Sequence, residues 1–547
     1  MDGRLIINNE RIETDDKKDS INPATLESLG EFSLASSTDC QKAVRAATEA
    51  FPTWSILSLK DKKNIFVQAK AILLKRGEEA AALISKEKGS PHPESMMSEI
   101  QGGLEALDYY GKNIKTLLKP RKADHHVTYF SHKKSEYAFH PLGPTLIISP
   151  WNYPFIIPVV EVLSALSAGN TVILRPSSST PFAALLLGEI FLEAGLPPGV
   201  LNVVCCRIPQ AEELITHPDI HSIMFTGSAA TGKRVMELAS RNLTNVVLEL
   251  GGKDPMIVLE DADLDRAARG AVWGAFTNCG QVCSSIERVY VHQSVAAEFI
   301  DKVVALSKNL KVGDPLEAGT DVGPLAVPAQ LDIVEDHIQD AKEKGAHILV
   351  GGEKVKDVPG YYFKPTVLTQ VDHSMKIMTE ETFGPVLPIM TVSDVEEAVN
   401  LANDSDYGLT ASVWTRNKKL SSQLSKRLHV GSVTINDHLF SFAEPGALWG
   451  GVKHTGIGRS HGPYGILELV NIKYISQDFS KKKTQLWWYP YGEDLMQLLK
   501  VSMNVFHHSR FWGKIRALPA LLPFFSRIYK GSPLQNYIRR APRSFKK

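Results

Sequence analysis

The chain predicts an α/β fold built on parallel sheets, and three observations carry that prediction. Residues 145–250 alternate short apolar runs with helical stretches of about a dozen residues, the pattern of strands joined by crossover helices. Residues 254–448 repeat it. The 547 residues are too many for one hydrophobic core, so two or three domains are expected.

Taken in order, residues 1–35 read as short strands and turns, broken at Asn22-Pro23. Helices are expected over 39–51 and 60–88, where Ile65, Ala69, Ile72, Leu73, Ala80 and Leu83 recur at helical spacing, and a third over 93–118. Residues 119–140 are polar and basic, alternating near 127–130 and 137–139, which reads as an exposed hairpin. Strands are then expected at 145–149, 171–174, 200–204, 222–225 and 246–250, with helices at 158–168, 181–194 and 232–240. Ligands on such sheets bind beyond the carboxyl ends of the strands, and Asn152, Arg175, Gly227 and Glu249 fall at or just past such ends. In the second region, strands are expected at 257–259, 288–291, 386–390, 412–414 and 432–435, and helices at 296–307, 330–344, 395–402 and 420–427.

Composition is that of an ordinary globular protein: 43% hydrophobic and 22% charged residues argue against disorder. The net charge of +1 hides an asymmetry. Residues 481–547 hold 14 Lys and Arg against 2 Asp and Glu, leaving 47 against 58 in the rest. An acidic body with a basic appendage is expected. The five cysteines, Cys40, Cys205, Cys206, Cys279 and Cys283, are odd in number and show no metal-ligand spacing, so no metal site is expected. The start of the chain lacks a charged-then-apolar signal pattern, and reduced cysteines in the cytoplasm are the simplest expectation.

The thiol of Cys283 stands beyond a Gly280-Gln281 turn, between a helix and an apolar run. A thiol where the chain changes direction can reach a substrate, and as thiolate it is a strong nucleophile. A lone cysteine is more often a packed core residue; Glu249, a candidate base upstream, is what sets this one apart.

Seven runs stand in a fixed order: PWNYP (150–154), GNTVILRPS (169–177), FTGS (225–228), LELGGK (248–253), GQVC (280–283), ETFGPV (381–386) and GGVKHTGIGR (450–459). In this order and spacing they resemble the aldehyde dehydrogenase superfamily, over about residues 20–478. The resemblance implies a Rossmann-type nucleotide-binding domain (1–118 and 141–248, with 449–469 returning to it), an α/β catalytic domain (249–448) and a small bridging β-sheet (119–140 and 470–480) that mediates homodimers or homotetramers. It implies NAD- or NADP-dependent oxidation of an aldehyde to the acid. Cys283 would form a thiohemiacetal and then a thioester, Asn152 would donate to the oxyanion, and Glu249 would activate the hydrolytic water. For the cofactor it implies Trp151, Gly227 and Ser228 at the pyrophosphate, where a helix begins, and Glu381 and Phe383 at the nicotinamide end. The family's Lys and Glu of K-P-S-E are here Arg175 and Ser178. Neither repels a 2′-phosphate, so NADP is expected to be used as well as NAD.

The helix after Asn152 carries Phe155, Ile156, Ile157, Val159 and Val160, and no Arg near Val160 such as semialdehyde-oxidising relatives place there. That leans toward an apolar, medium- or long-chain aldehyde. The alternatives are a semialdehyde dehydrogenase, a CoA-acylating enzyme, against which Glu249 speaks, or an idle scaffold that keeps the fold. The tail, 481–547, lies outside the resemblance. It sets basic residues among Trp487, Trp488, Tyr489 and Tyr491, then Leu495, Leu498, Leu499, Met503 and Phe506 at helical spacing. Its longest apolar run, 517–525, is too short to span a bilayer. Peripheral binding to the inner face of a membrane is one expectation and packing on a partner subunit another; a nucleic-acid partner is not expected.

Overall fold

The computed structural model describes residues 2–127, 130–481, 483, 485, 487–489, 491 and 493–521. Tyr129 of the expected hairpin, and Leu522, Phe524 and Phe525 of the tail, lie outside the described residues. The chain divides into two compact units, one of residues 1–119 and 139–471 and the other of residues 120–138 and 472–547.

The first unit holds two large sheets. One has eight strands in the order Gly456–Ile457, Asn245–Glu249, Ser222–Thr226, Thr145–Ile148, Val172–Arg175, Leu201–Val203, Leu5–Ile7 and Glu10–Ile12. Its five central strands are parallel, and the edges are antiparallel. The first of the five in sequence, Thr145–Ile148, has later strands on both sides. The winding therefore reverses between Thr145–Ile148 and Ser222–Thr226, and a crevice opens at their carboxyl ends. Two of the seven runs, PWNYP and FTGS, sit at that crevice. The helix Ile156–Ala168 is buried along all 13 residues and ends at Gly169, whose φ is +96°, a conformation that suits a residue without Cβ.

The second sheet has seven strands in the order His347–Val350, Thr366–Thr369, Val386–Val392, Ile286–His292, Asp254–Val258, Thr410–Trp414 and Ser432–Ile435. All are parallel except His347–Val350. Each sheet carries its own apolar core, one around Ile147, Leu163 and Met224, the other around Ile257, Val289 and Leu387.

The long helices over 39–51 and 60–88 are observed as Ser37–Ile56 and Leu59–Lys88. The helix expected over 93–118 is not continuous. A short turn, His92–Glu94, passes into a π-helical segment, Ser95–Gln101, before the helix Gly102–Leu117. The wide turn brings Glu99, fully buried, to face inward; π turns of this kind often mark functional sites. The strands His347–Val350 and Thr366–Thr369 add to those expected; the first lies at the sheet edge and is only partly buried.

In the second unit, Arg121–Lys122 pairs antiparallel with Lys134–Pro141, and the strand Val470–Gln477 completes a three-stranded sheet. Asp478 accepts from Lys133 Nζ and Gln485 Nε2 and faces His132. The tail forms the helix Glu493–His507, the helix Phe511–Ala517 and a last turn, Leu518–Leu521, around Leu498, Val505 and Leu521.

Candidate active site

Cys283 follows the helix Leu264–Phe276 and a tight turn, Thr277–Gly280. Asn278, Cys279 and Gly280 all take positive φ, at 50°, 57° and 73°. For the first two this is strained, and such strain persists only where neighbours over-determine it. They do. The Glu94 carboxylate accepts from Thr277 Oγ1 at 2.7 Å and from Asn278 N–H at 2.9 Å. Gln281 closes back on Asn278 O and takes Ala326 N–H on its own Oε1. A Cβ at Gly280 would lie 2.0 Å from Gly384 O, so no other residue fits. His438, pulled down to about 4 by burial, is neutral; its Nε2–H donates to Ser284 O at 2.8 Å.

Asn152 is buried on the loop after Thr145–Ile148, and its Nδ2 donates to Gln281 O at 3.0 Å. Its carbonyl accepts from Asn278 Nδ2 and from Lys88 Nζ. Lys88 in turn pairs with Glu99 at 2.7 Å, both fully buried. The other Glu99 oxygen takes the backbone N–H groups of Phe155 and Ile156, which cap the start of the helix Ile156–Ala168. Lys88 Nζ also lies 4.2 Å from the centre of the Tyr153 ring. The asparagine is thus fixed from both sides.

Glu249 ends the strand Asn245–Glu249 and is buried, with neither carboxylate oxygen at hydrogen-bond geometry. Burial first, and then the charge of Glu161, hold it well above the usual carboxylate range, with Arg459 pulling the other way. Burial also pushes the Cys283 thiol up, helped by the carboxylates of Asp254, Glu381 and Glu249. The thiol therefore rests protonated, and attack requires a base to take the proton. Cys283 and Glu249 line one cavity of about 300 Å³. Its walls include Tyr153, Trp273, Phe440 and Trp449, and its acidic groups are Glu94, Glu161 and Glu249. No Lys, Arg or His is among its described lining residues.

The residues matched to cofactor contacts lie apart from this cavity. Ser228 caps the helix Ala229–Ala239, accepting from Thr231 N–H, and the helix end offers free N–H groups and a positive dipole to an anion. Gly227 N–H donates to Glu249 O, which ties this turn to the neighbouring strand end. Trp151 meets Phe383 edge-on at 5.5 Å. Arg175 donates to Cys206 O while its Nε is buried without a partner. Ser178 Oγ lies 3.4 Å from Lys18 Nζ. Glu381 accepts from Gly252 N–H and is pushed up to about 8 by burial and then by Glu287. A capped helix start, an orphaned guanidinium nitrogen on Arg175 and the ammonium of Lys18 beside Ser178 suit a phosphorylated dinucleotide.

Residues 251–252 explain the paired glycines of LELGGK. A Cβ at Gly251 would lie 2.4 Å from the Glu381 carboxylate, and one at Gly252 would lie 2.1 Å from Cys283 O. The strand end, the cysteine loop and the Glu381 loop meet there. Glu287 holds the last of these, accepting from Thr382 and Phe383 N–H while pairing with Lys253 at 2.5 Å.

Sequence reasoning missed Lys88, Glu94, Glu99, Glu161, Glu287 and His438. Glu161 carries a legible signal, one charged side chain inside the otherwise apolar helix IIPVVEVLSALSA; Lys88, Glu94, Glu99 and His438 stand in polar stretches.

Residues 11–475 match the sequence profile of the aldehyde dehydrogenase family. The chain is 37% identical over 480 residues to the chloroplastic betaine aldehyde dehydrogenase of Atriplex hortensis, covering 86% of this chain and 94% of that protein. It is 38% identical over 478 residues to the peroxisomal aminoaldehyde dehydrogenase 1 of Pisum sativum, with the same coverage. Among solved structures it is similar to an NADP-dependent enzyme of E. coli (TM-score 0.84, 33% identity, 87% of this chain and 98% of that one). The NAD+ complex of the aldehyde dehydrogenase of Bacillus cereus is equally similar (TM-score 0.84, 33% identity, 88% and 97%). The chain belongs to the aldehyde dehydrogenase family and is an NAD(P)-dependent oxidoreductase acting on aldehydes.

Proposed function

We propose that the chain oxidises an aldehyde bearing a cationic amino group to its acid, with Cys283 as nucleophile, Glu249 as base and Asn152 as oxyanion donor. The observation that carries this is the cavity: one thiol, aromatic walls, three carboxylates and no basic lining residue. Aromatic faces attract an ammonium group, the carboxyl oxygens can accept its hydrogen bonds, and no basic residue lines the cavity to pair with a carboxylate-bearing substrate. The betaine aldehyde and aminoaldehyde dehydrogenases among the relatives support this polar alternative over the apolar aldehyde that the helix after Asn152 suggests. The apolar wall of Ile156, Ile157 and Val160 keeps an uncharged aldehyde as the second reading. Cofactor-saturated kcat/KM for 3-aminopropanal, hexanal and succinic semialdehyde separates them. The amino compound is expected to lead, and a faster rate with either of the others overturns the proposal.

Glu249 takes the Cys283 thiol proton and passes it to solvent as the sulfur attacks the carbonyl carbon, and the developing oxyanion is met by the Asn152 amide and by the backbone N–H of Cys283. When bound, the nicotinamide supplies the hydride acceptor that turns the thiohemiacetal into a thioester. Glu249 then takes a proton from water as the water attacks, and the sulfur departs. Trp151, Gly227 and Ser228 would hold the pyrophosphate. Arg175 and Ser178 would face the adenosine ribose, and Glu381 and Phe383 the nicotinamide end.

We read residues 1–118, 141–248 and 449–469 as the nucleotide-binding part, 249–448 as the catalytic part, and 119–140 with 470–480 as a bridging sheet. The strand Val470–Gln477 is a sheet edge with Ile472 and Tyr474 half exposed, which supports homodimer formation along it. Light scattering that returns a monomer removes that reading. Among the described residues no helix is long and apolar enough to cross a membrane. On the short helix Phe511–Ala517, however, Phe511 and Trp512 are 62% and 71% exposed, beside Arg510 and Arg516. Aromatic side chains flanked by arginines suit an anionic lipid surface, which supports the reading of a cytoplasmic enzyme peripheral on the inner face of a membrane. Full-length protein that fails to pellet with phosphatidylserine vesicles at low salt overturns it.

A further inference from the structure

Glu161 lies on the helix Ile156–Ala168 and lines the same cavity as Glu249. Its Oε1 accepts from Thr226 Oγ1 at 2.8 Å, while its Oε2 is buried with no partner. Thr226 and Glu249 are register partners on adjacent parallel strands. The hydroxyl that anchors Glu161 therefore belongs to the residue beside Glu249. Glu161 is 2% exposed and Glu249 5%. Arg459 is the cation acting on Glu249, and the Cys283 thiol and Ser460 complete its surroundings.

Two buried carboxylates so placed cannot both be ionised without a large electrostatic cost. We propose that Glu161 and Glu249 form a carboxylate pair that shares one proton, and that Glu161 is a positioning residue deciding when Glu249 is free to act as base. This rests on the reading of Glu249 as the base of thioester hydrolysis. With the shared proton on Glu161, the Glu249 carboxylate faces the cavity. Water oxygen bonds to the thioester carbon, the water proton passes to Glu249, and the carbon–sulfur bond breaks to release the acid and the Cys283 thiolate. With the shared proton on Glu249 the base is blocked, and the Thr226 hydroxyl, by stabilising ionised Glu161, favours this blocked form. Burial pushes Glu161 up to about 8 and also holds Glu249 well above the usual carboxylate range. The pair therefore loses its first proton on the alkaline side of neutrality, and its titration belongs to both groups together.

The test acylates Cys283 with 4-nitrophenyl acetate, which needs no cofactor, and follows release of acetate against pH. Glu161→Gln keeps an acceptor for Thr226 and removes the like charge. Its acidic limb is expected to move down by about one pH unit, a roughly twofold gain in rate at the wild-type midpoint. A limb that stays at the wild-type pH overturns the proposal. Should that variant fail to fold, Thr226→Val decides. Loss of the hydroxyl sends the shared proton to Glu161, so the limb again moves down; an unmoved limb again overturns the proposal. Glu249→Gln separates the two claims. If it hydrolyses the acyl-enzyme at the wild-type rate, the reading of Glu249 as base fails. If it stalls while Glu161→Gln shows no shift, only the pairing fails.

Discussion

Buried carboxylates occur here in two settings. Glu99 and Glu287 each sit beside a buried lysine, Lys88 and Lys253, and each accepts two consecutive backbone N–H groups. Glu161 and Glu249 line a cavity with no lysine partner, and both keep oxygens without a hydrogen bond. In the first setting a lysine neutralises the charge and the carboxylate holds backbone through two N–H groups. One clamp fixes the loop of Asn152, the other the loop of Glu381 and Phe383. In the second setting only the Thr226 hydroxyl and the field of Arg459 offset the charge, and burial raises the proton affinity and leaves the group free to exchange a proton. The comparison teaches that the partners of a buried acid, more than its burial, separate scaffolding from chemistry.

The largest expected break is at the cavity. Cys283→Ser is expected to lower aldehyde oxidation by about 10⁴ or more, with an unchanged unfolding midpoint in urea; wild-type turnover would remove the thiol from the chemistry. Next comes a clamp. Lys88→Met leaves Glu99 buried without its cation and is expected to cost about 3–5 kcal/mol of folding stability, read from denaturant melts. An unaltered midpoint would show that the clamps do not carry the scaffold. Asn152→Ala is expected to cost about 2.7–4 kcal/mol in kcat/KM with a smaller loss of stability, the reverse of the clamp variant. The smallest change lies at the cofactor end. Ser178→Glu places a carboxylate beside Lys18, and is expected to lower kcat/KM for NADP relative to NAD by about tenfold. An unmoved ratio would place the 2′-position elsewhere.

The sheets and their strand ends were legible because apolar periodicity and turn residues are local. Asn152, Gly227 and Glu249 could be placed at carboxyl ends from spacing alone. The clamps were not legible, because Lys88 meets Glu99 across the Pro91–Pro93 corner, and Glu287 holds residues 95 and 96 positions away. A charged residue in sequence does not announce a partner that only the fold supplies. The π-helical turn at Ser95–Gln101 escaped for a related reason: its residues have helical propensity, and its widening answers to inward hydrogen bonds made by Glu94 and Glu99. Glu161 carried a signal, one acid in a wholly apolar helix, but periodicity could not say what it faced.

The helix Ile156–Ala168 has no solvent-facing side. Its backbone amides lie within the structure most costly to open, so deuterium should enter them only when the whole unit unfolds. Glu161 consequently rides on the slowest-breathing piece of the protein. Entry and departure of small molecules must then be accommodated by other lining residues of the cavity, while Glu161 stays still.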